Sequence, residues 1–373
     1  MKMGTLIRYS TKGSRLRGNC NKYPRNDFFI TLLAVETGLA YSINDSYARY
    51  WQRQHALVWD KKTTHNNPMQ LISADDHIPD KARGAIVVIG NFDGVHKGHQ
   101  ALFDAALARA REIEKPFAVL TFEPHPKRFF MPDTKPFRIT PRLVKQRQLD
   151  ARGADYVFEM TFNSALAQMR PQSFIDEVLI DRLNVAEIFV GHDFRFGHKR
   201  EGSAETLQNS PVPTTVIEQV GDEGDSVYAS SRVRELLEAG DIEAANTILG
   251  WDWEIESVVT HGDKRGRELG YPTANLQLGE TIHPAYGVYA GRVCIDDESS
   301  WRPAALNIGV RPMFQVETGL VEAYLLNFDG DLYERTLRVQ PVAKIRDEQN
   351  FDDLDALKAR MAEDCRQAEA ILG

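Results

Sequence analysis

Cysteine is scarce. Cys20, Cys294 and Cys365 are the three in 373 residues, too widely spaced for a disulfide framework or a metal-ligand pattern, and such usage suits a reducing compartment. Long hydrophobic stretches are missing from the N-terminal region. Its longest apolar run, Phe28 to Tyr41, is interrupted by Glu36 and Gly38 and falls short of the ~20 residues that span a bilayer. The same region lacks the small-residue cleavage pattern of a secretory signal. The sequence has no internal repeat and no low-complexity tract. Excess positive charge is absent too: the net charge is −8, which argues against nonspecific nucleic-acid binding, since polyanions are held by a net basic face. What remains, 42% apolar and 26% charged residues, is ordinary globular protein, with room for two or three domains.

Charge is unevenly placed. Residues 1–68 hold 11 Lys/Arg against 4 Asp/Glu, a net of +7, leaving −15 for the rest, and residues 1–26 hold no acid. The favoured reading is a basic, poorly ordered extension, with Met69 as a plausible alternative start. A mitochondrial transit peptide fits by composition alone.

From Ala85 the chain alternates strand and helix signals. Ala85–Ile89 is a short apolar run of the kind buried on both faces of a sheet. Gly98–Ile113 has helical spacing, Phe117–Phe122 reads as a strand, and Thr140–Pro141 reads as an N-cap with proline at the first helical position. Tyr156–Phe158, Glu187–Val190 and Pro213–Ile217 read as strands and Pro171–Leu183 as a helix. Two short helices, Ser230–Ala239 and Asp241–Leu249, flank Gly240. Such alternation predicts a parallel sheet with helices on both faces. After Trp253 the pattern changes. Trp253–Thr260, Val288–Ile295, Arg302–Ile308, Val321–Leu326 and Arg335–Ile345 are strand-like and separated by turns, which predicts a small antiparallel barrel. An amphipathic helix over about Phe351–Leu372 closes the chain, with Leu354, Leu357, Met361 and Cys365 expected to pack on the barrel. The fold class is thus α/β followed by β, with expected domains at 1–68, 69–250 and 251–373.

The strongest chemical signal is the string Gly90-Asn91-Phe92-Asp93-Gly94-Val95-His96-Lys97-Gly98-His99, between a buried strand and a helix. Gly90 and Gly94 permit a tight turn close to a ligand. Gly98 lets a phosphate approach the helix N-terminus, where free N–H groups favour anions. His96 and His99, three apart, share a face and can donate to phosphate oxygens as pyrophosphate departs. The plain alternative is a strand–helix turn with two exposed histidines. The string resembles the HxGH signature of the nucleotidyltransferase superfamily and, in its full form, the adenylyltransferase module of bacterial FAD synthetases. Thr121-Phe122-Glu123-Pro124-His125-Pro126 is similar to that family's TFEPHP segment, and Gly191 to Gly197 to its G-x-D/N-F-x-F-G loop. The resemblance implies a Rossmann-like domain that binds ATP through Gly90–Gly94, His96, Gly98 and His99, and flavin through Phe122, His125, Pro126, Asp193 and Phe194. Phe122, Phe194 and Phe196 offer flat walls for an aromatic ring, with core packing as the competing role. Tyr228-Ala229-Ser230-Ser231-Arg232-Val233-Arg234 resembles the family's ISSTxxR motif. Ala229 replaces its first serine and Ser231 its threonine. Ser230, Ser231 and Arg234 are then phosphate contacts, and helix capping is the structural alternative for the two serines.

His261 to Leu276 is too polar and glycine-rich for a core strand. Thr273 and Asn275, two apart on extended chain, share a face and offer hard oxygens suited to Mg²⁺ bound with nucleotide phosphates. The segment resembles the GxxRGRxLGxPTANL signature of riboflavin kinases, which implies ATP or flavin contacts from Gly262, Arg265, Gly266, Gly270, Pro272, Thr273 and Asn275. Pro284–Ala290 resembles the family's PxxGVYA segment and Asn307–Pro312 its NIGxRP, implying further contacts at Asn307 and Arg311. Val321 to Tyr333 resembles the strand carrying the catalytic glutamate and the FxGDLY turn after it. Glu322, among Val321, Leu325 and Leu326, is then the general base. Four positions depart from the kinase pattern: Met313, Glu334, Glu256 and Ser257.

In order and extent, the two sets of motifs resemble the bifunctional bacterial riboflavin kinase/FAD synthetases over about residues 70–373. That implies phosphorylation of riboflavin to FMN, then adenylylation of FMN to FAD, with ATP and Mg²⁺. The catalytic residues implied are Glu322, His96 and His99. The expected setting is cytoplasmic, as a monomer or weak homo-oligomer, with small-molecule partners and neither nucleic acid nor membrane. Two rivals stay open: a nucleotidyltransferase with another acceptor, and a flavin carrier without catalysis.

Overall fold

The computed structural model describes residues 68–73, 76–221, 227–261, 270–296, 298–313, 316–351 and 353–373; the basic extension, bar Pro68, lies outside them. β1 (Gln70–Ser73), β2 (Ile86–Ile89), β3 (Phe117–Glu123), β4 (Tyr156–Thr161) and β5 (Glu187–Gly191) precede a small hairpin, β6 (Arg195–Phe196) and β7 (Gly202–Ser203), and then β8 (Thr214–Ile217). Apart from the hairpin these strands form one parallel sheet in the order β1-β4-β3-β2-β5-β8. Alternate side chains feed two cores. Val87, Ile89, Leu120 and Ile188 pack towards Phe174 and Leu179, while Ile86, Val88, Val119 and Phe189 pack on Leu102, Phe103 and Ala106 of helix Lys97–Glu112. From β2 the chain winds one way to β3 and β4 and the other way to β5 and β8. The crevice at this reversal, beyond the strands' carboxyl ends, is where such sheets bind ligands.

Several local expectations are revised. β1, an edge strand against β4, was not anticipated. The predicted helix at Pro171 begins as a short α-turn, Pro171–Ser173, and widens into i→i+5 turns over Phe174–Arg182. Thr140 does not cap the next helix. Pro141 holds the N-cap position of Arg142–Ala151 with no side-chain cap, because the Thr140 hydroxyl is occupied elsewhere, as described below.

The second sheet is antiparallel, in the order β10-β13-β12-β11-β14-β9: β9 (Ile255–Val258), β10 (Ala274–Gln277), β11 (Gly287–Ile295), β12 (Arg302–Met313), β13 (Val316–Leu325) and β14 (Thr336–Arg346). A bridge from Thr260 N–H to the Asn275 carbonyl, 2.9 Å, joins the chain after β9 to β10 and closes the barrel. The C-terminal helix, Leu354–Leu372, lies on the outer face. Its contact side is the expected one at three of four positions: Cys365 packs in the cluster under the helix, Leu357 and Met361 line a cavity beside it, and only Leu354 departs. Leu354 is 65% exposed, and the anchors are Ala368, against Ala290 and Ala305, and Asp364, which receives two donors from Arg346 at 2.7 and 2.9 Å. No helix among the described residues is long and apolar enough to cross a membrane.

Packing runs across residue 250. Helices Ser230–Ala239 and Ile242–Leu249 place Val233, Leu237, Ile242 and Leu249 in one cluster with Ile139 and the barrel interior. Fully buried Trp253 sits there and donates Nε1–H to the Ile139 carbonyl at 2.9 Å. Glu256, one of the departures from the kinase pattern, has a role here: Arg147 of the first half pairs with it at 2.6 Å and with buried Glu254.

Candidate functional site

The β2 loop is held from inside. Asp93 is buried and accepts from the backbone N–H groups of Ile139 (3.0 Å) and Thr140 (2.9 Å), from the Thr140 hydroxyl (3.2 Å) and from Arg234 Nη2 (2.6 Å). Burial opposes its ionisation. The Arg138 and Arg234 guanidinium groups and the Thr140 N–H outweigh that and hold its carboxyl below the usual range. Thr140 Oγ1 also accepts from Gly94 N–H at 2.8 Å. Asp93 therefore faces the protein and organises the loop. Phe92 is equally internal: it is buried, with its ring edge-on to His99 at 5.2 Å. Asn91 is exposed at the loop's tip. A Cβ on Gly98 would meet the His96 ring and the Tyr228 carbonyl at 3.2 Å, so glycine leaves room for the His96 imidazole.

His96 and His99 stack, with centroids 3.6 Å apart and planes 21° apart. Burial pushes His96 down to about 4, Arg234 adding to the effect and Asp93 opposing it. Burial, then His96, holds His99 well below the usual imidazole range. Both rings are neutral at pH 7, with one N–H each to offer. Both Nδ1 atoms are buried without a partner in the protein, unsatisfied capacity of the kind kept for a ligand.

Ser230, Ser231 and Arg234 meet the loop from the other side. Ser230 Oγ donates to the Asp93 carbonyl at 2.8 Å, so it ties helix to loop and is not a cap. Ser231 is exposed. Arg234 is shared between Asp93 and the Phe137 carbonyl, the latter at 2.9 Å. The N-cap is Ala229, which has no side-chain acceptor. Ala229→Ser is therefore expected to stabilise the fold by about 1 kcal/mol, read as a shift of the urea midpoint at constant slope. An unshifted midpoint would show that this helix end needs no cap.

The β3 and β5 segments border the same crevice. His125 caps helix Pro126–Phe130, its Nδ1 accepting from Lys127 N–H at 3.1 Å. Burial brings its pKa down to about 4, with Arg138 and Lys145 adding and Asp93 and Glu123 opposing. Phe122 is half-buried, edge-on to Phe162. Phe194 is half-buried and Asp193 exposed. Phe196 is a core residue, buried beneath Phe194 with the rings stacked at 5.6 Å, so core packing wins at that position. The three low histidine pKa values carry a pH dependence. Free histidine titrates near 6.5, so from about pH 6.5 down to the folded values, about 4 for His96 and His125 and well below the usual range for His99, the unfolded chain binds protons that the folded chain does not. Stability is present above that window and is lost as pH falls through it. The urea midpoint should fall from pH 7 to pH 5, and His125→Asn, which keeps a capping acceptor, should flatten the slope. A midpoint constant over that range would refute neutral burial of these rings.

In the barrel, strand register assembles a second constellation. Asn275 pairs with Glu322, and Glu322 with Asn307, so the three stand side by side on β10, β13 and β12. Period-two alternation points Leu276, Val321 and Ala323 into the core and this trio outward. Asn307 Nδ2 donates to Glu322 Oε2 at 3.3 Å. Asn275 Nδ2 turns to the Thr273 carbonyl (3.4 Å), and its Oδ1 is buried without a partner. The trio opens on a cavity of about 1000 Å³ beneath the C-terminal helix, lined also by Thr273, Tyr324 and Arg346. Thr273 and the orphaned Asn275 Oδ1 fit a hard cation bound together with phosphates. No cluster of three or more His, Cys, Asp or Glu able to hold a metal occurs among the described residues. Gly270 (φ +88°) and exposed Pro272 lead into β10. Gly262, Arg265 and Gly266 lie outside the described residues, and Arg311 belongs to β12.

Sequence reading missed Arg138, Thr140 and Lys145, the last a buried cation paired with Glu123 at 2.8 Å. Thr140-Pro141 imitates a helix cap, and nothing local marks a buried Arg138 or Lys145.

The family model for FAD synthetase matches residues 78–231 and that for riboflavin kinase residues 249–372. A bifunctional riboflavin kinase/FMN adenylyltransferase of Pseudomonas fluorescens is 39% identical, covering 81% of this chain and 98% of its own. The protein of that name in Escherichia coli K12 is 38% identical over 78% of this chain and 93% of its own. A crystal structure of a macrolide-efflux protein from Streptococcus pneumoniae superposes with a TM-score of 0.71 at 31% identity, over 81% of this chain and 99% of that one. With two family models in tandem and relatives matched over nearly their full lengths, the chain belongs to the bifunctional riboflavin kinase/FMN adenylyltransferase family.

Proposed function

We propose that the chain makes FAD in two steps at the two sites just described, the barrel phosphorylating riboflavin to FMN and the parallel-sheet half transferring AMP from a second ATP to FMN. The observation that carries this reading is the pairing, on one chain, of a stacked neutral histidine pair at a helix start with an Asn275–Glu322–Asn307 row in strand register. The domain limits proposed are 69–250 and 251–373, after a basic extension over 1–68. The setting proposed is cytoplasmic, as a monomer or weak homo-oligomer acting on small molecules, without nucleic acid or membrane.

In the kinase step Glu322 takes the proton of the flavin's primary alcohol while that oxygen attacks the γ-phosphorus and ADP leaves. Asn307 fixes the carboxylate through its Oε2. Thr273 and Asn275 would hold Mg²⁺, which when bound would neutralise charge on the triphosphate. In the adenylyl step a phosphate oxygen of FMN attacks the α-phosphorus of ATP and pyrophosphate leaves. His96 and His99, neutral, donate N–H to the oxygens on which charge develops. Because they start uncharged, their N–H groups gain most where negative charge develops, which favours the transition state over the ground state. Arg234 and Ser231 contact phosphate from the facing helix, and Phe122, His125, Pro126, Asp193 and Phe194 receive the flavin. The test is incubation of the protein with riboflavin, ATP and Mg²⁺, followed by separation of the flavins. FMN and FAD together are the expected products. Neither would support a carrier without catalysis, and adenylylation of a different acceptor alone would support the other rival.

A further inference from the structure

The four residues Phe137–Thr140 belong to none of the motifs, yet they supply the backbone and hydroxyl partners that hold Asp93, Gly94 and Arg234. Phe137 supplies a carbonyl to Arg234, Ile139 and Thr140 supply N–H groups to Asp93, and the Thr140 hydroxyl holds Gly94. Between them Arg138, 1% exposed, donates from Nη1 and Nη2 to the two carboxylate oxygens of Glu123, at 3.1 and 2.8 Å, and from Nη2 to the Thr140 carbonyl at 3.1 Å. Its Nε lies 3.8 Å from Asp93 Oδ1. Glu123 ends β3, two residues before His125, and Asp93 sits three residues before His96. One buried cation thus lies beside the acid that ends β3 and the acid of the loop that follows β2.

That cation is held from the other half of the chain. Arg138 N–H donates to the Glu280 carbonyl (3.1 Å), its own carbonyl accepts from Ile282 N–H (2.8 Å), and Glu280 Oε2 lies 3.7 Å from its Nη1. Glu280 to Ile282 lie between β10 and β11 of the barrel. A buried arginine with three carboxylates around it is costly to disturb, because without it, among the described residues, Glu123 keeps only Lys145 and buried Asp93 only Arg234 as charge partners. The same segment carries both the arginine and the backbone donors to Asp93, so a shift of one moves the other.

Building on the functional reading above, we propose that Arg138, clamped from the kinase half by Glu280 and Ile282, is a positioning residue for adenylyl transfer. It sets Asp93 and Glu123, and through Asp93 the loop that presents His96 and His99. The barrel is on this view a part of the FAD-forming site, although it contributes no group that touches the reacting atoms.

Full-length Arg138→Lys tests this. Lysine keeps the charge but cannot meet both oxygens of Glu123 and the Thr140 carbonyl together. Misplacement of a catalytic loop by about an ångström costs up to about 10²-fold. The kcat for FAD formation from FMN should fall at least about tenfold, with the KM for ATP within about threefold and riboflavin phosphorylation within about twofold of the parent. Riboflavin phosphorylation on the same chain reports the folded fraction. Glu280→Gln should lower FAD formation about two- to fivefold, as expected for a half-exposed partner, and spare FMN formation. Three results would overturn the proposal: Arg138→Lys at the parent kcat, a parallel loss of both activities, or a raised KM with kcat unchanged. Glu280→Gln at the parent rate would overturn the part of the clamp assigned to the Glu280 carboxylate. FAD formation by the parent enzyme in the same assay tests the functional reading separately.

Discussion

Glu322→Gln should lower the rate of FMN formation from riboflavin by about 10²–10⁴-fold, the usual consequence of losing a positioned general base. FAD formation from supplied FMN should continue at the parent rate. Glutamine keeps the shape of the side chain and can still meet Asn307, whose Nδ2 now holds Glu322 Oε2, so the barrel stays folded while the proton acceptor is gone. The two activities separate because Glu322 faces the cavity under the C-terminal helix, whereas the histidine pair stands at the end of β2 in the other sheet. The measurement is single-turnover FMN production, with FAD production from FMN as the control. Kinase turnover near the parent value would remove Glu322 as the base.

His99→Ala should have the converse effect. FAD formation should fall by about 10²–10³-fold, as when one donor that acts mainly in the transition state is removed, and FMN should accumulate from riboflavin. The KM for FMN should change little, because the flavin is assigned to the Phe122 and Phe194 side of the crevice. His99 is backed by the buried Phe92 ring and stacked on His96, so the truncation also leaves His96 less constrained. A His99→Ala protein that makes FAD at the parent rate would sink the assigned role. Loss of both activities would point instead to the core shared across residue 250, where Ile139 and Trp253 meet.

Much of this was legible in the residues. Apolar runs without alternation, such as Ile86–Ile89, announce strands covered on both faces, and the string from Gly90 to His99 places a phosphate-binding turn between strand and helix. Period and turn chemistry are local, and so are the motifs, so each can be read without knowing what packs against it. The same holds for Asn275 and Glu322, each conspicuous in its own segment.

Their meeting is another matter. Glu322 stands beside both Asn275 and Asn307 only because β13 pairs with β10 on one side and β12 on the other, a non-local register that no single segment encodes. Burial decided the protonation of His96, His99 and His125, since desolvation depends on what surrounds a ring and not on its neighbours in sequence. It also drew Phe92, Asp93 and Phe196 inward, turning expected ligand contacts into supports. Thr140 illustrates the difference most sharply. Beside Pro141 it carries the signature of a helix cap, but the tertiary fold brings Asp93 and Gly94 within reach of its hydroxyl, and that buried pairing outweighs a solvent-side cap. The sequence by itself determined the alternation that makes the parallel sheet, the run of strands that makes most of the barrel and the chemical types at both sites, but not β1, the β6–β7 hairpin or β10. The tertiary structure decided which of those groups face a ligand, which hold the others in place, and that the two halves share a core, because each of these depends on contacts between residues far apart along the chain.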